Sequence, residues 1–418
     1  MSPLALAGAW LGSGLLGTGL ARGLHRHRAA LLGPLVAAAA GLLVTVSISP
    51  GPLSTVGFGA TMAIDRTSVG MLVAGGVACA LTLALAPRID GGEALVLGLV
   101  GAASVVALSA TVPAIWAMAL AVAVGALGLR WIAVTPERST LSTGRVAGLG
   151  VAALLACVVV LPLDGTPSDT RATLSGGLLA LGACALLAVV PVGGWAAAAA
   201  GAVRGPDLAV WALILAPAVL LTTAAAMPEL PARGRDTAAA SLLILGLLSA
   251  VYGGSMAVRA PAAARYGRLL IADLGVAAAG LGCRQEVGRL GVLLIVLSHL
   301  ATGPLLLHAP RPGLQRPHRL AWLALSGLPL SAAFWGRLLV LEALAATSPV
   351  ALVIGLLASA TLLSAAMRAL VAGETAEGSG APFSVRGVGW LLALGGLALG
   401  FAPAWMAARV FGVDLGAG

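Results

Sequence analysis

Four ionisable side chains lie within apolar stretches of the sequence: Asp273, His299, Arg337 and Glu342. A charge in hydrocarbon costs about 2.5–3.5 kcal/mol on insertion scales, so a residue of this kind marks an ion or proton pathway by default. Histidine titrates near neutral pH, whereas arginine acts only as a fixed positive charge. The four residues are therefore candidates for a proton path, or polar axis, through a membrane.

Structural roles are open for the same residues. His299 could be a packing histidine with a hydrogen-bonded ring, and for Asp273 a local ion pair with Arg268 is favoured over a relay role. Arg337 and Glu342 lie about 140° apart around a helix, so we expect each to face the protein interior with a partner on another helix. Two roles fit this pattern: a chain of polar groups that still passes protons, and a static clamp, meaning fixed ion pairs that only hold helices together.

The composition places these residues in a membrane. The chain of 418 residues is 60% hydrophobic and 9% charged, with a mean hydropathy of +1.04, whereas a soluble domain carries about 25% charged residues. All 24 basic residues are arginine, which excludes any mechanism that needs a titrating lysine. We expect one all-α polytopic membrane domain, residues 1–418, surrounded by membrane lipids.

Cofactor and nucleic-acid functions are not indicated. The four cysteines stand singly, without a CxxC pair or a His/Cys cluster, so no metal or iron–sulfur centre is expected. The net charge of +9 comes from arginines in short loops, where they set membrane orientation. The loops are too short for a soluble catalytic domain. The chain therefore offers no catalytic chemistry of its own, no cofactor site and no nucleic-acid site.

Charges and Pro/Gly clusters divide the chain into spans of about 20 apolar residues. Fourteen spans are predicted, at 3–21, 29–49, 67–87, 94–110, 113–130, 146–163, 172–192, 207–226, 238–257, 269–283, 288–307, 320–346, 349–370 and 387–406. The first segment is interpreted as a retained span and not as a signal peptide, because its arginines follow the apolar run.

The loop arginines predict the orientation. One side of the spans holds sixteen: Arg22, Arg26, Arg28, Arg88, Arg130, Arg138, Arg145, Arg204, Arg259, Arg265, Arg268, Arg311, Arg316, Arg319, Arg368 and Arg386. The other side holds seven: Arg66, Arg171, Arg233, Arg235, Arg284, Arg289 and Arg409. Because cytoplasmic loops are enriched in arginine, the first side is cytoplasmic. A multi-pass protein of the cell inner (plasma) membrane with both termini outside is predicted.

Two stretches resemble segments of a known family, the antiporter-like proton-channel subunits of respiratory complex I. Residues 325–344, LSGLPLSAAFWGRLLVLEAL, are similar to its GlPPlaGFxgKf segment, in which a broken helix carries a basic residue into the membrane. Residues 57–75, GFGATMAIDRTSVGMLVAG, are similar to its early strand-like turn and helix start, with Asp65 at the family's aspartate.

Two further stretches complete the resemblance. Residues 247–282 are similar to the alyGallAlrqrdlKrllAYSSI segment. Residues 293–309, LLIVLSHLATGPLLLHA, are similar to llnHalfKalLF, with His299 at the histidine. The order and spacing of all four stretches agree with the family, which also includes subunits of membrane-bound hydrogenases, formate hydrogenlyase and multisubunit cation/proton antiporters.

The resemblance implies a repeat architecture. Two five-helix repeats, 94–226 and 238–370, would be inverted relative to each other. Each would contain a broken helix, near Pro191 in the first and near Pro329 in the second. Ion and proton sites in such folds lie near the midplane, at helices of this discontinuous kind.

The departures from the family pattern remove its titratable groups. Leu120 lies at or beside the family's glutamate, Leu186 and Gly193 replace a lysine and a histidine, and Gly303 and Arg337 replace lysines. Leucine and glycine carry no proton, and an apolar lining does not hold ordered water. The first repeat is therefore interpreted as a degenerate, dry half-channel. Residual proton movement should depend on the second half, which keeps a histidine and a glutamate.

The sequence predicts an integral membrane subunit of a complex I-like assembly, of the NADH-quinone oxidoreductase or hydrogenase type. It would contribute to, or scaffold, proton translocation coupled to electron transfer. Its partners would be the other membrane subunits of a redox-driven or antiporter complex. The alternatives are a stand-alone cation/proton secondary transporter and a non-conducting structural membrane subunit.

Overall fold

The computed structural model describes residues 2–23, 53–57, 60–86, 91–134, 138–160, 168–190, 205–308, 311–329, 331–372 and 380–401. Within these ranges the chain is helical apart from one hairpin. The helices are α1 Pro3–Gly23, α2 Arg66–Leu85, α3 Gly91–Ser109, α4 Pro113–Val134, α5 Arg138–Val160, α6 Asp169–Leu186, α7 Gly205–Glu229, α8 Ala232–Arg259, α9 Ala262–Gly282, α10 Glu286–Leu306, α11 Gln315–Leu325, α12 Ala332–Thr347, α13 Pro349–Ala372 and α14 Phe383–Phe401.

The hairpin precedes α2. Its strands β1 (Leu53–Gly57) and β2 (Ala60–Ile64) pair antiparallel, with Leu53 opposite Ile64. Asp65 follows at once, and its carboxylate accepts a hydrogen bond from the backbone N–H of Ser68 at 2.8 Å. A side-chain acceptor at this position satisfies a free N–H of the first turn and favours helix initiation there. The predicted strand-like turn and helix start are both present.

Membrane-crossing helices make up much of the described chain. Eight of them are long and apolar enough to cross a bilayer by length and composition. They are Thr67–Leu85, Gly92–Ser109, Pro113–Val134, Gly205–Glu229, Ala232–Arg259, Glu286–Leu306, Pro349–Ala372 and Phe383–Phe401. The chain is thus a multi-pass membrane protein with an all-α membrane domain.

Two predicted spans begin well before their expected starts. The helix predicted at 146–163 starts at Arg138 and so includes the loop-assigned Arg138 and Arg145. The span predicted at 269–283 begins at Ala262 and is 21 residues long. Arg265 and Arg268, which were assigned to a loop, lie inside the helix. An arginine can occupy a helix near a membrane face because its apolar stem packs along the helix while its head reaches polar partners. The predicted span 29–49 lies outside the described residues.

Glycine contacts bring α8 and α9 together. A Cβ built on Gly246 would lie 2.6 Å from the backbone nitrogen of Ala279, and one on Gly275 would lie 2.7 Å from that of Ala250. Small residues permit this close approach, which stabilises helix pairs in lipid through van der Waals packing. Helix α9 also packs on α10, and α10 packs on α12. These helices hold Asp273, His299 and Arg337.

A buried break separates α11 from α12. Helix α11 ends at Leu325, and Gly327 has φ +77°, a left-handed conformation that glycine adopts readily. Ser331 then begins α12, where its hydroxyl accepts a hydrogen bond from the backbone N–H of Phe334 at 3.1 Å. The interruption near Pro329 is present. In the first half α6 ends at Leu186, whereas Pro191 lies outside the described residues.

Candidate functional site

Asp273 and Arg337 form a buried ion pair with two contacts. Arg337 Nε donates to Asp273 Oδ1 at 2.9 Å, and Nη2 donates to Oδ2 at 2.8 Å. The side chains are 1% and 4% exposed, respectively. The planar guanidinium matches a carboxylate in this fork geometry. Because both charges are removed from water, each depends on the other for compensation.

The same guanidinium binds the end of the broken helix. Arg337 Nη2 also donates to the carbonyl of Leu325 at 3.0 Å, and Nη1 donates to the carbonyl of Ser326 at 3.1 Å. Carbonyls at a helix C-terminus lack intrahelical partners and carry partial negative charge. Arginine presents five N–H groups in a fixed fork, whereas lysine presents three from one atom. Arginine can therefore serve the carboxylate and the break together.

Gly327 makes room for this contact. A Cβ at Gly327 would collide with Nη1 of Arg337, and the positive φ is itself unfavourable for other residues. The glycine of the predicted Gly-Leu-Pro break, Gly327, thus has two physical reasons to be glycine. One is the turn between the half-helices, and the other is the approach of the guanidinium to the backbone.

His299 extends the pair into a continuous polar line. Its Nε2 lies 3.0 Å from Asp273 Oδ2, and its Nδ1 lies 3.3 Å from the hydroxyl oxygen of Tyr266. A neutral ring with the proton on Nε2 satisfies both contacts, since Nε2–H donates to the carboxylate and Nδ1 accepts from the tyrosine. The imidazole therefore bridges an acid and a phenol through its two nitrogens.

The polar line is sealed from solvent. Tyr266 and His299 are each 3% exposed, and the rings contact with centroids 5.9 Å apart. The ring of Trp322 packs edge-on against Tyr266 at 6.4 Å. Asp273 and Arg337 neutralise each other, so an additional proton on His299 would leave one net positive charge in a dry site. The arrangement is suited to holding or passing one proton at a time.

The predicted Asp273–Arg268 pair is wrong. Arg268 instead donates to the carbonyl of Met256 at 3.2 Å. Residues five apart on a helix point about 140° away from each other, so Arg268 turns toward α8 while Asp273 turns toward α10 and α12. Sequence proximity suggested a partner that helix geometry does not allow.

The expectation for Glu342 is also wrong, because its side chain is exposed and lies outside the polar line. The reason is its position on α12. Glu342 lies about 15 Å along α12 from the start of this helix and five residues before its end at Thr347, beyond the part of the helix that brings Arg337 to Asp273. Three of the four predicted residues, Asp273, His299 and Arg337, lie together.

Tyr266 was missed from the sequence, although a signal was present. It precedes Asp273 by seven residues, which places both on the same side of α9. Gly303, where the family resemblance would put a lysine, lies against it. A Cβ at Gly303 would be 2.5 Å from the Tyr266 hydroxyl oxygen. The loss of a side chain at Gly303 is therefore what lets the phenol reach His299.

The helix end in the first half is satisfied by a neutral donor. Trp211 begins the π-helical turn Trp211–Leu215 of α7, and its Nε1 donates to the carbonyl of Leu186 at 3.0 Å. Leu120 and Leu186 are each 1% exposed. A π-turn shifts side chains relative to a regular helix, which here brings the indole onto the end of α6. The carbonyl of Leu186 is thus satisfied by an uncharged donor.

A second buried ion cluster was also missed. Arg130 Nε lies 2.8 Å from Asp207 Oδ1, and Arg130 Nη2 lies 3.7 Å from Glu93 Oε1. These residues stand near the end of α4 and the starts of α7 and α3, so they were assigned to span boundaries. The cluster ties three helix ends together, and Asp207 lies one turn before Trp211 on the same helix.

The first half contains a cavity of about 300 Å³. Its lining is mixed, with apolar residues such as Trp116 and Leu179 beside the polar residues Thr222 and Glu229. In the described parts of the chain, His, Cys, Asp and Glu side chains do not converge in threes as metal ligands.

Solved structures share this fold over nearly the whole chain. A chain of respiratory complex I from Thermus thermophilus with bound aureothin has a TM-score of 0.79 at 20% identity, covering 99% of this chain and 100% of that chain. A chain of the Mrp complex from Dietzia sp. DQ12-45-1b has a TM-score of 0.86 at 17% identity, covering 97% of this chain and 51% of that one.

A third structure, the archaeal membrane-bound sulfane sulfur reductase, contains a chain with a TM-score of 0.79 at 16% identity, covering 97% of this chain and 77% of that one. No protein-family model and no curated protein sequence matches the chain. This chain spans about half of the Mrp chain and all of the complex I chain. The multi-pass helical membrane fold predicted from the sequence is confirmed.

Proposed function

We propose that this chain is an integral membrane subunit of a complex I-like assembly and contributes to proton translocation through its second half. The observation that carries the proposal is the buried line Tyr266–His299–Asp273–Arg337, which ends on a helix break. The shared fold supports it, because the similar chains belong to multisubunit respiratory or Mrp complexes. Electron transfer would be supplied by partner subunits.

His299 is the group in the line that can accept and release a proton at different atoms. A proton arrives at Nδ1 from the Tyr266 side, and the proton on Nε2 leaves to Asp273 Oδ2. The imidazole ends neutral with its proton on the other nitrogen, and the carboxylate becomes a carboxylic acid. The Tyr266 hydroxyl regains a proton from the entry side. After Asp273 has passed its proton on, reorientation of the imidazole ring restores the starting arrangement, whereas a reverse proton shift would only undo the transfer.

Arg337 controls the next step by competing for the same carboxylate. While Asp273 holds a proton, the guanidinium loses its counter-charge. If α12 moves away, Asp273 can accept the proton without opposing Arg337; when α12 returns, the guanidinium expels the proton. The break between α11 and α12 gives this helix a hinge, and conformational work in the assembly would act there.

The first half has a supporting role in this proposal. Residues 94–226 and 238–370 are two inverted repeats within a bundle of fourteen spans, and the first is a degenerate half-channel. Supporting observations are the buried Leu120 and Leu186 and the neutral contact of Trp211 at the end of α6. These leucine side chains cannot relay a proton, and the buried carboxylates Asp207 and Glu93 are held by Arg130 near helix ends.

The orientation is proposed from the arginine distribution. Loops with sixteen arginines face the cytoplasm and loops with seven face outward. Both termini then lie on the outer side of the inner membrane. The broken helix enters from the cytoplasmic face as α11 and leaves as α12 toward the outer face.

A non-conducting structural role has one observation in its favour. Arg337 donates to both oxygens of Asp273 and to two backbone carbonyls. A contact this rigid also fits a static clamp between α9, α11 and α12. The clamp holds the helices together without any proton moving. The flux of protons through variants of His299 separates the two roles.

The subunit proposal is tested by co-purification from native membranes. An affinity-tagged full chain is extracted in mild detergent and examined by native gel electrophoresis and mass spectrometry. We expect stoichiometric membrane partners of a redox-driven or antiporter complex. Recovery of the tagged chain alone, under conditions that keep other respiratory complexes intact, would favour a stand-alone cation/proton transporter.

A further inference from the structure

The last turn of α8 is surrounded by arginines. Arg268 of α9 donates to the carbonyl of Met256, and Arg368 of α13 donates to the carbonyl of Val258. Arg259 is the last residue of α8 and is exposed. The carbonyls lie within one helical turn, about 5.4 Å. We call Arg259, Arg268 and Arg368 the α8 arginine cluster.

The cluster lacks a counter-charge within the described part of the chain. None of its three guanidiniums pairs with a described carboxylate; the ion pairs found there involve other arginines. The C-terminal dipole of α8 offsets only about half of one charge. Among the described residues, two or more positive charges therefore remain on this small surface, and partial burial of Arg268 reduces their screening by water.

An apolar surface continues from the cluster along the bundle. Ile244, Leu248 and Tyr252 form an exposed stripe on α8 at four-residue spacing, with exposed fractions of 58%, 53% and 54%. Seven residues beyond Tyr252, Arg259 lies on the same face. On the adjacent α13, Met367 and Val371 are exposed on either side of Arg368.

We propose that the α8 arginine cluster binds the phosphate headgroup of an anionic phospholipid, whose acyl chains lie along α8 and α13. A guanidinium fork matches phosphate oxygens and is weakly hydrated. Basic pockets between helices at a membrane face recognise anionic headgroups in this way. The backbone contacts of Arg268 and Arg368 use one side of each guanidinium and hold its other donors in place for the phosphate.

The test compares lipids on the purified full chain. After delipidation in neutral detergent, binding of phosphatidylglycerol and of phosphatidylcholine is measured by native mass spectrometry, and Tm is measured with each lipid. We expect retained phosphatidylglycerol and a higher Tm with it than with phosphatidylcholine. The variant Arg259→Gln/Arg368→Gln should weaken phosphatidylglycerol binding about tenfold or more and abolish the Tm difference between the lipids.

A matched control comes from the other end of the same helix. Arg233→Gln/Arg235→Gln removes the same number of positive charges as the cluster variant, but from the first turn of α8, and it should leave the lipid preference unchanged. If the double cluster variant does not fold in phosphatidylcholine, Arg259→Gln is used alone, because Arg259 makes no backbone cap. Equal binding of the two lipids, an equal loss in the control, or an equal Tm rise with inorganic phosphate would overturn the proposal. These outcomes are independent of proton flux.

Discussion

At the residue scale, the site depends on one guanidinium that serves a carboxylate and a helix end together. Arg337 donates four hydrogen bonds of 2.8–3.1 Å to Asp273, Leu325 and Ser326. Its permanent charge means that the group cannot relay a proton itself. In the proposed path, proton chemistry would be confined to Asp273, His299 and Tyr266, and Arg337 would set the electrostatic conditions under which they act.

The first prediction concerns Gly327. In Gly327→Ala the new Cβ meets Arg337 Nη1 and the residue keeps an unfavourable positive φ. We expect a loss of about 2–3 kcal/mol in the free energy of unfolding, measured by denaturant titration in bicelles. Gly125→Ala is the control, since a Cβ at Gly125 meets nothing within 4 Å. Equal stability of the two variants would show that Arg337 does not approach the break as described.

The second prediction concerns the ion pair. Arg337→Gln leaves the Asp273 carboxylate without its guanidinium and should lower the free energy of unfolding by about 3–5 kcal/mol. Adding Asp273→Asn should recover part of this loss, because the buried charge is removed. A double-mutant cycle should give a coupling of at least about 1.5 kcal/mol.

A comparison pair is available at the surface. Arg284 and Asp236 are 43% and 65% exposed, so Arg284→Gln should cost about 0–1 kcal/mol. Additive effects of Asp273→Asn and Arg337→Gln in the same assay would mean that the two side chains do not depend on each other.

At the element scale, hydrophobic runs and glycine–proline punctuation predicted most of the helices and the interruption between α11 and α12. These patterns could not predict how far along the restarted helix, and therefore how close to a membrane face, each charged side chain lies. Arg337 and Glu342 are close in sequence, yet α12 carries Glu342 beyond the part of the helix that brings Arg337 to Asp273. The partner of Asp273 could not be predicted from the sequence either. Arg337 is 64 residues away in sequence, and only the packing of α10 and α12 brings it close.

The third prediction concerns the helix end in the first half. Trp211→Ala removes both the indole bulk and the donor to the Leu186 carbonyl, so water should enter beside α6. Cys184 lies in the last turn of α6 and is fully buried. A water-soluble thiol reagent should label Cys184 in Trp211→Ala but not in the wild type, as located by mass spectrometry.

Trp211→Phe is the matched control, because phenylalanine keeps most of the ring volume without the N–H. Cys184 should stay largely unlabelled in this variant. Rapid labelling of Cys184 in the wild type would show that the first half is already wet, and the interpretation of a dry, degenerate half would be wrong.

At the scale of the whole molecule, the two halves differ in the kind of donor that satisfies their helix ends. The first uses the neutral indole of Trp211, and the second uses the charged Arg337 with its polar line. The sequence predicted lost titratable groups at Leu120 and Leu186, because missing charges are visible in a sequence, but it did not predict the Trp211 contact. Tyr266 and the Arg130–Asp207 contact were not identified, because their roles depend on which side chains meet across helices.

The most direct measurement of the central claim is proton flux through the assembly reconstituted in liposomes, with a pH-sensitive dye inside and the partners' own reaction as the driving force. His299→Ala removes the group that links Tyr266 to Asp273, and flux should fall by about a hundredfold while the assembly stays intact on a native gel. Glu342→Gln, at an exposed position of the same half, should keep flux within about twofold of wild type. Wild-type flux in His299→Ala would contradict the proton path and leave the polar line as a static clamp.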